Sequence, residues 1–375
     1  MPKMTWTVTA DGGATSFTSR VLSLNITGGR EQYLDTYSGG QCVITLNNND
    51  NFAATVEYGK MLTVKGTYLA GDFNCHFWLQ KITYDDYPGD TGLSTVTFTC
   101  ADFISRAGRI QATNFVIAQD TCDNQLDTFS SSGILPADMG VIGYGSGSIA
   151  SGTTYTGTVT NYLNFLVTTE RGYCFLEGNA LQFIGRTYVS TLAPIATKIG
   201  RTTSTTKIAY QQFERIAAGF EFINTATVLP NGLASQTSIN ATSVSTYGPA
   251  FYSSSTVDYT TTQASGNADW IANNFDDPTQ ERFTCSFSDV AQNSDALESW
   301  LYECFSSNNR TVNFEYRPPN QLSDYSQDMV MEGYKINVTP EQTTFDLSFS
   351  PLTYYQFFTL NSSTLGILDT SRLGW

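Results

Sequence analysis

Histidine is nearly absent from this 375-residue chain, and His76 is the only one. A catalytic triad built on an imidazole base therefore has one candidate, set in Phe73-Asn74-Cys75-His76-Phe77-Trp78-Leu79 among alternating large apolar residues. A histidine on a solvated or partly packed strand face is the ordinary reading there. Cys75 beside it should point to the opposite face, which disfavours a Cys/His pair. The seven cysteines, at 42, 75, 100, 122, 174, 285 and 304, include no Cys-x-x-Cys pair and are odd in number. A zinc site then has no short ligand spacing to start from, and reduced core thiols are expected in place of a disulfide framework. Asp85, Asp86 and Asp90 lack the terminal Glu of a twelve-residue calcium loop. Gly143-Tyr144-Gly145-Ser146-Gly147 lacks the Lys of a phosphate-binding loop. No cofactor or metal is expected.

Positive charge is also scarce. Lys and Arg number 19 against 34 Asp and Glu, a net charge of -15, so sequence-reading DNA binding is not expected. A channel lined with carboxylates would still let DNA slide through without sticking. Long apolar runs are missing too: residues 1–6 have no signal-peptide core and nothing later approaches a membrane span. A protein made and kept in water, without a membrane partner, is expected.

What the chain does have is aromatic and β-branched residues. It holds 24 Phe and 21 Tyr, with hydrophobic residues at 41%, which favours strands and, at this length, two to four domains. The stretch 20–109 organises the rest. Apolar residues recur with a two-residue rhythm at 21–26, 42–46, 61–68, 73–84 and 96–102, each run bounded by Gly, Asn or Asp. Five half-buried strands in about ninety residues suggest a small antiparallel barrel, followed by a short helix over 102–107 capped by Asp102.

Beyond Ile110 the texture changes. Helices are expected over 120–129 and over 158–171, where Val159, Tyr162, Leu163 and Leu166 hold helical spacing and Gly172 offers a stop. A hairpin of 173–177 with 180–184 turns about Gly178-Asn179. Strands return at 207–210, 220–229 and 233–239. A helix over 260–275, with Ala264, Ala268, Ile271 and Phe275 on one side, precedes strands at 282–287, 310–316, 329–338 and 343–349. Phe77, Phe98, Phe314 and Phe349 fall at core-facing strand positions.

Several ordered motifs carry a resemblance. Leu24-Asn25-Ile26-Thr27-Gly28-Gly29-Arg30, Leu34-Asp35-Thr36-Tyr37 and Asn48-Asn49-Asp50-Asn51-Phe52 resemble the opening domain of tailed-bacteriophage minor tail or tail-hub proteins. The helix and hairpin over 158–184 resemble the small domain that such proteins insert, and Ser243-Val244-Ser245-Thr246-Tyr247-Gly248 resembles a further family element. Val330-Met331-Glu332-Gly333-Tyr334-Lys335-Ile336-Asn337-Val338-Thr339-Pro340 and the run 344–351 ending in Ser350-Pro351 match most closely. Residues 308–314 depart from the family's usual Gly-Asp-x-Val-x-Val strand.

The resemblance implies a mainly β fold with some α, two antiparallel β-barrel tube-like domains plus a small inserted α/β domain. The limits are 1–109 for the first barrel, 110–200 for the insertion, 201–259 for a β connecting region and 260–375 for the second barrel with a docking tail. It also implies a non-enzymatic structural protein of the virion tail tip, made in the host cytoplasm. That protein would be a homotrimeric hub ring that continues or closes the tail tube and passes genomic DNA without specific binding. Implied partners are a tail tube or distal tail protein, a tape measure protein and baseplate or fibre proteins. Phe357, Phe358, Leu360, Leu365, Leu368, Leu373 and Trp375 are expected to dock the tail on a barrel or neighbouring subunit. Two alternatives stand beside it: a receptor- or carbohydrate-binding tail protein, and a polysaccharide hydrolase using Glu298 and Glu303 near Trp300 or Asp276-Asp277 with Trp270. For those acids a helix surface or a helix-ending turn is the plainer role.

Overall fold

The two-residue rhythm of the sequence becomes burial. In the strand Met61–Tyr68, Leu62, Val64, Gly66 and Tyr68 are buried and the residues between them are not. In Thr343–Pro351 the buried set includes Thr343, Phe345, Leu347 and Phe349. Alternation of this kind places one face of a sheet against a core and leaves the other to solvent. The computed structural model describes residues 4–87, 94–145, 147–217, 222–279, 281–305 and 309–355.

The main sheet is built from two sets of strands. The first contains β1 (Val21–Gly29), β2 (Gln41–Asn47), β3 (Met61–Tyr68), β4 (Gly71–Asp85) and β5 (Thr95–Ala101), paired antiparallel in the order β1-β2-β5-β4-β3. The second contains β6 (Gln212–Ala217), β7 (Glu281–Ser288), β8 (Thr311–Tyr316), β9 (Tyr325–Val338) and β10 (Thr343–Pro351), paired antiparallel in the order β6-β7-β10-β9-β8. The two orders are the same. In each set the fourth strand is long and bulged: β4 shifts register between Leu79 and Lys81, and β9 shifts between Met331 and Gly333. An antiparallel ladder from Leu24↔Val338 to Gly29↔Gly333 joins β1 to the second half of β9, and with the flanking strands Thr5–Ala10, Thr15–Ser16, Lys198–Gly200 and Lys207–Ala209 the two sets make one sheet of 14 strands among the described residues.

Aromatic rings fill the cores. Phe77, Phe98, Phe314 and Phe349 are all buried, as their strand positions require. Phe314 meets Phe349 edge-on at 4.8 Å and Phe283 at 5.3 Å, and each such side chain contributes about 1.5–3 kcal/mol by leaving water. Asp102 caps the helix Phe103–Ala107 by accepting from the Ser105 amide. The helix Ser294–Phe305 belongs to the second set by sequence yet packs on β4 of the first, where a side chain at Gly71 would meet the Glu298 carbonyl at 2.4 Å.

Between the sets lie the helices Cys122–Ser131 and Val159–Glu170 and a small sheet in which Ala180–Ile184 runs parallel to Gly140–Tyr144 and antiparallel to Tyr173–Glu177. Val159, Tyr162, Leu163 and Leu166 are buried, as the helical spacing predicts. Arg171, at φ 58, makes the left-handed turn that ends this helix, one residue before the glycine the sequence offers. A second small sheet, with Thr225–Pro230 between Gln236–Ile239 and Phe251–Thr256, lies under the helix Thr261–Asn274, which Thr260 caps. Residues 241–247 form the short helix Ala241–Tyr247.

Candidate functional site at the junction of the two strand sets

The seam between β1 and β9 is closed by glycine. Gly29 has φ +85, and a Cβ there would lie 2.1 Å from the Glu332 carbonyl oxygen; a Cβ on Gly333 would lie 2.5 Å from that of Arg30. Only backbone without side chains lets the strands come this close. The motif over 24–30 and the motif over 330–340 are therefore the two sides of one ladder.

Directly past Gly29, Arg30 turns inward. Its Nε donates to Glu332 Oε2 at 2.7 Å, and one terminal nitrogen donates to the Tyr355 hydroxyl at 3.0 Å and the Gly172 carbonyl at 3.3 Å. Tyr355 donates in turn to Glu332 Oε1 at 2.8 Å. Glu332 is the bulge residue of β9, and the bulge aims its carboxylate into the interior. The side chains are 3% and 0% exposed, so water does not screen the pair. Burial works against the Arg30 charge, but Glu332 more than offsets it and the guanidinium is held well above its ordinary pKa. Burial also pushes the Tyr355 hydroxyl up, keeping it a neutral donor.

Neighbouring groups bring in the inserted region. The Tyr33 hydroxyl donates to the Arg171 carbonyl at 2.6 Å, and the Tyr37 hydroxyl accepts from the Cys174 amide at 2.8 Å. Asn164 holds the Tyr37 backbone from both sides, accepting from its N–H at 2.8 Å and donating to its carbonyl at 3.1 Å. The stretch 34–37 is thus a tether. Near it Arg310 is buried, with its guanidinium 4.1 Å from the Phe175 ring centre and 5.1 Å from that of Phe305. Its Nε and one terminal nitrogen have no hydrogen-bond partner, and burial pulls its pKa down. Groups this enclosed hold parts together.

Beside the seam lies a groove of about 910 Å³ running over β1, β9, β10, β7 and β6. Thr27, Thr284, Ser286 and Ser348 give it hydroxyls, and Glu31, Asp35, Glu214 and Asp346 outnumber Lys335 and the internally paired Arg30. Phe213, Tyr334 and Leu347 also line it, so the wall mixes polar and apolar surface, and its charged side chains are mostly acidic.

Residues considered for catalysis are dispersed. Glu298 accepts from the Ala70 amide at 3.1 Å, Glu303 from the Ala196 amide at 3.0 Å and from Ser299 at 3.1 Å, while Trp300 beside them is fully buried. Asp276 accepts from Asn240 at 2.7 Å, Asp277 from the Thr279 amide at 2.8 Å, and Trp270 is buried. Glu298 and Glu303 lie along the helix Ser294–Phe305, and Asp276 and Asp277 lie just past the end of the helix Thr261–Asn274. Burial lowers the His76 pKa, and Cys75 lies buried on the other face of β4. Among the described residues no group of three His, Cys, Asp or Glu is placed to hold a metal, and no helix is long and apolar enough to cross a membrane. Asp90 and the seven docking candidates Phe357, Phe358, Leu360, Leu365, Leu368, Leu373 and Trp375 lie outside the described residues.

No family model matches the sequence, and no curated protein matches it. The fold is nevertheless that of phage tail proteins. The tail protein from Neisseria meningitidis superposes with a TM-score of 0.64 at 9% identity, covering 93% of this chain and 97% of that one. The prophage MuSo2 tail protein from Shewanella oneidensis gives 0.59 at 12% identity, covering 95% and 98%. The prophage tail protein gp18 from Listeria monocytogenes gives 0.51 at 10%, covering 92% and 94%.

Proposed function

We propose that the chain is a structural protein of a phage tail tip, a homotrimeric hub ring that continues or closes the tail tube and seats baseplate or fibre proteins. The observation that carries this reading is the repeated strand order, with one set joined to the other edge to edge. Three such chains supply six similar units around an axis. Strand edges left open on one chain are a liability that neighbouring copies remove. The groove supports the placement of a channel: it makes the surface beside the seam concave, and a ring turns its concave face to the axis. A carboxylate-biased, hydroxyl-rich wall repels phosphate and gives DNA nothing to bind in transit. In this reading a tube or distal tail protein and the tape measure protein meet the ring's two openings, and Phe357, Phe358, Leu360, Leu365, Leu368, Leu373 and Trp375 dock the tail on a neighbouring subunit.

Two measurements test it. The purified chain, alone or with tail partners, should have the solution mass of a trimer, and imaged particles should place it where the tube ends. A stable monomer that refuses every tail partner but binds glycans would favour the receptor-binding alternative, and turnover of polysaccharide would favour the hydrolase.

A further inference from the structure

Arg310 is a buried charge with no acid to answer it. It stands just before β8, is 2% exposed, and keeps its Nε and one terminal nitrogen without a hydrogen-bond partner. Among the described residues no carboxylate forms a salt bridge with it. The two acids that share its cavity are committed elsewhere: Glu332 to Arg30 and Tyr355, and Asp102 to the amides of Gly40 and Ser105, one on each oxygen. The rings of Phe175 and Phe305 beside the guanidinium recover part of its lost hydration. They do not neutralise it. Removing an ion from water without a counter-charge is among the largest penalties a fold can carry.

Arg310 borders a cavity of about 10 Å³, which Ile104, Cys174, Leu176 and Tyr334 also line. That is room for one particle about the size of a water molecule. A water molecule would accept hydrogen bonds from Arg310 but leave its charge uncompensated. A monatomic anion does both. Burial pushes the Tyr334 hydroxyl up, so it stays a neutral donor at the same cavity. Gly28, Gly29, Gly333 and Tyr334 line both this cavity and the groove beside the seam. The Tyr334 hydroxyl lies over Gly28, where a Cβ would meet it at 2.6 Å. The way in from solvent therefore passes Tyr334.

We propose that this cavity binds a single halide ion, chloride in the ordinary case, against the Arg310 guanidinium. Polyatomic anions such as gluconate are too large for it. The ion joins three parts of the fold at one point: the entry to β8, the hairpin that carries Cys174 and Leu176, and the bulge of β9. An ion held only by the folded chain stabilises it and leaves when it unfolds. The site lies within one chain, so it stands or falls independently of the ring.

The test is urea unfolding of the full chain at pH 5.5, with sodium chloride exchanged for sodium gluconate at constant ionic strength. Asp102, whose pKa burial raises to about 6, then mostly holds its proton and adds little negative charge at the cavity. Once chloride exceeds its dissociation constant, the unfolding constant should fall about tenfold for each tenfold rise in chloride, the slope for one released ion. Bromide should act in the same way, and Arg310→Met should flatten the slope to zero. A wild-type slope near zero, or one that persists unchanged in Arg310→Met, overturns the proposal. Should Arg310→Met fail to fold, crystals of the unaltered chain grown in bromide decide the matter. An anomalous peak in contact with the Arg310 guanidinium upholds the site, and a water only, without anomalous signal, overturns it. A bromide peak with no halide dependence in solution is binding at crystal concentration only and also overturns it.

Discussion

Arg30 and Glu332, 302 positions apart in sequence, share a 2.7 Å charged hydrogen bond at the point where the two strand sets meet. Neither side chain reaches solvent, and Tyr355 bridges them. The consequence is asymmetric: the intact pair need not stabilise the fold more than apolar residues would, but half of it is costly.

Glu332→Leu or Arg30→Met should therefore destabilise the chain by about 3–5 kcal/mol, each leaving an uncompensated group in the interior. The double variant Arg30→Met with Glu332→Leu should lose clearly less than the sum. Urea denaturation of the three variants measures this, and simple additivity would refute the coupling.

Gly29→Ala should separate the strand sets, because its Cβ would sit 2.1 Å from backbone that cannot move aside. Gly12→Ala provides the comparison. It also has positive φ, +66, but nothing lies within 4 Å of its Cβ, so it should cost only about 1 kcal/mol from the backbone conformation. Melting temperatures of the two variants should differ in that order.

The seven cysteines should be silent in the native state. All are buried and free, and burial pushes the Cys304 thiol up to about 12 and the thiols of Cys42, Cys75, Cys100, Cys174 and Cys285 higher than their ordinary range. The nucleophile is the thiolate, so neither access nor ionisation favours reaction. A chromogenic disulfide reagent at pH 8 should count no thiols in the folded chain and seven in guanidinium.

Asp102 should leave a signature in acid. Burial raises its pKa to about 6 even though its carboxylate accepts from the Gly40 and Ser105 amides. The folded state therefore binds this proton more tightly than the unfolded state, whose carboxyl titrates near 4. That contribution to stability is present below about pH 4 and is lost as pH rises through about 6. Asp102→Asn should remove this component, so the stability difference between wild type and variant, measured by urea titration from pH 4 to 7, should change across that window.

Local pattern carried much of this. Alternation marked the faces of β3 and β10 because one side of each is buried, and Asp102 announced its helix because a cap is a short-range device. The glycines of the two motifs were visible, but their reason was not, since Gly29 and Gly333 make sense only against each other. β6 gave the least to read. Gln212-Phe213-Glu214-Arg215-Ile216-Ala217 is mostly exposed, so no buried face imposes a two-residue rhythm on it. Arg30 and Glu332 stood inside the two quoted motifs, but their pairing with each other and with Tyr355 did not show, because charged residues so far apart in sequence look like surface residues until a bulge and a turn bring them inside.

β9 is hydrogen-bonded to β8 along its first part, to β1 along its last, and to β10 over most of its length. A residue inserted just past Glu332 would turn over every later side chain toward β1 and β10 at once. Loops elsewhere can drift in length, but this segment has to keep its count.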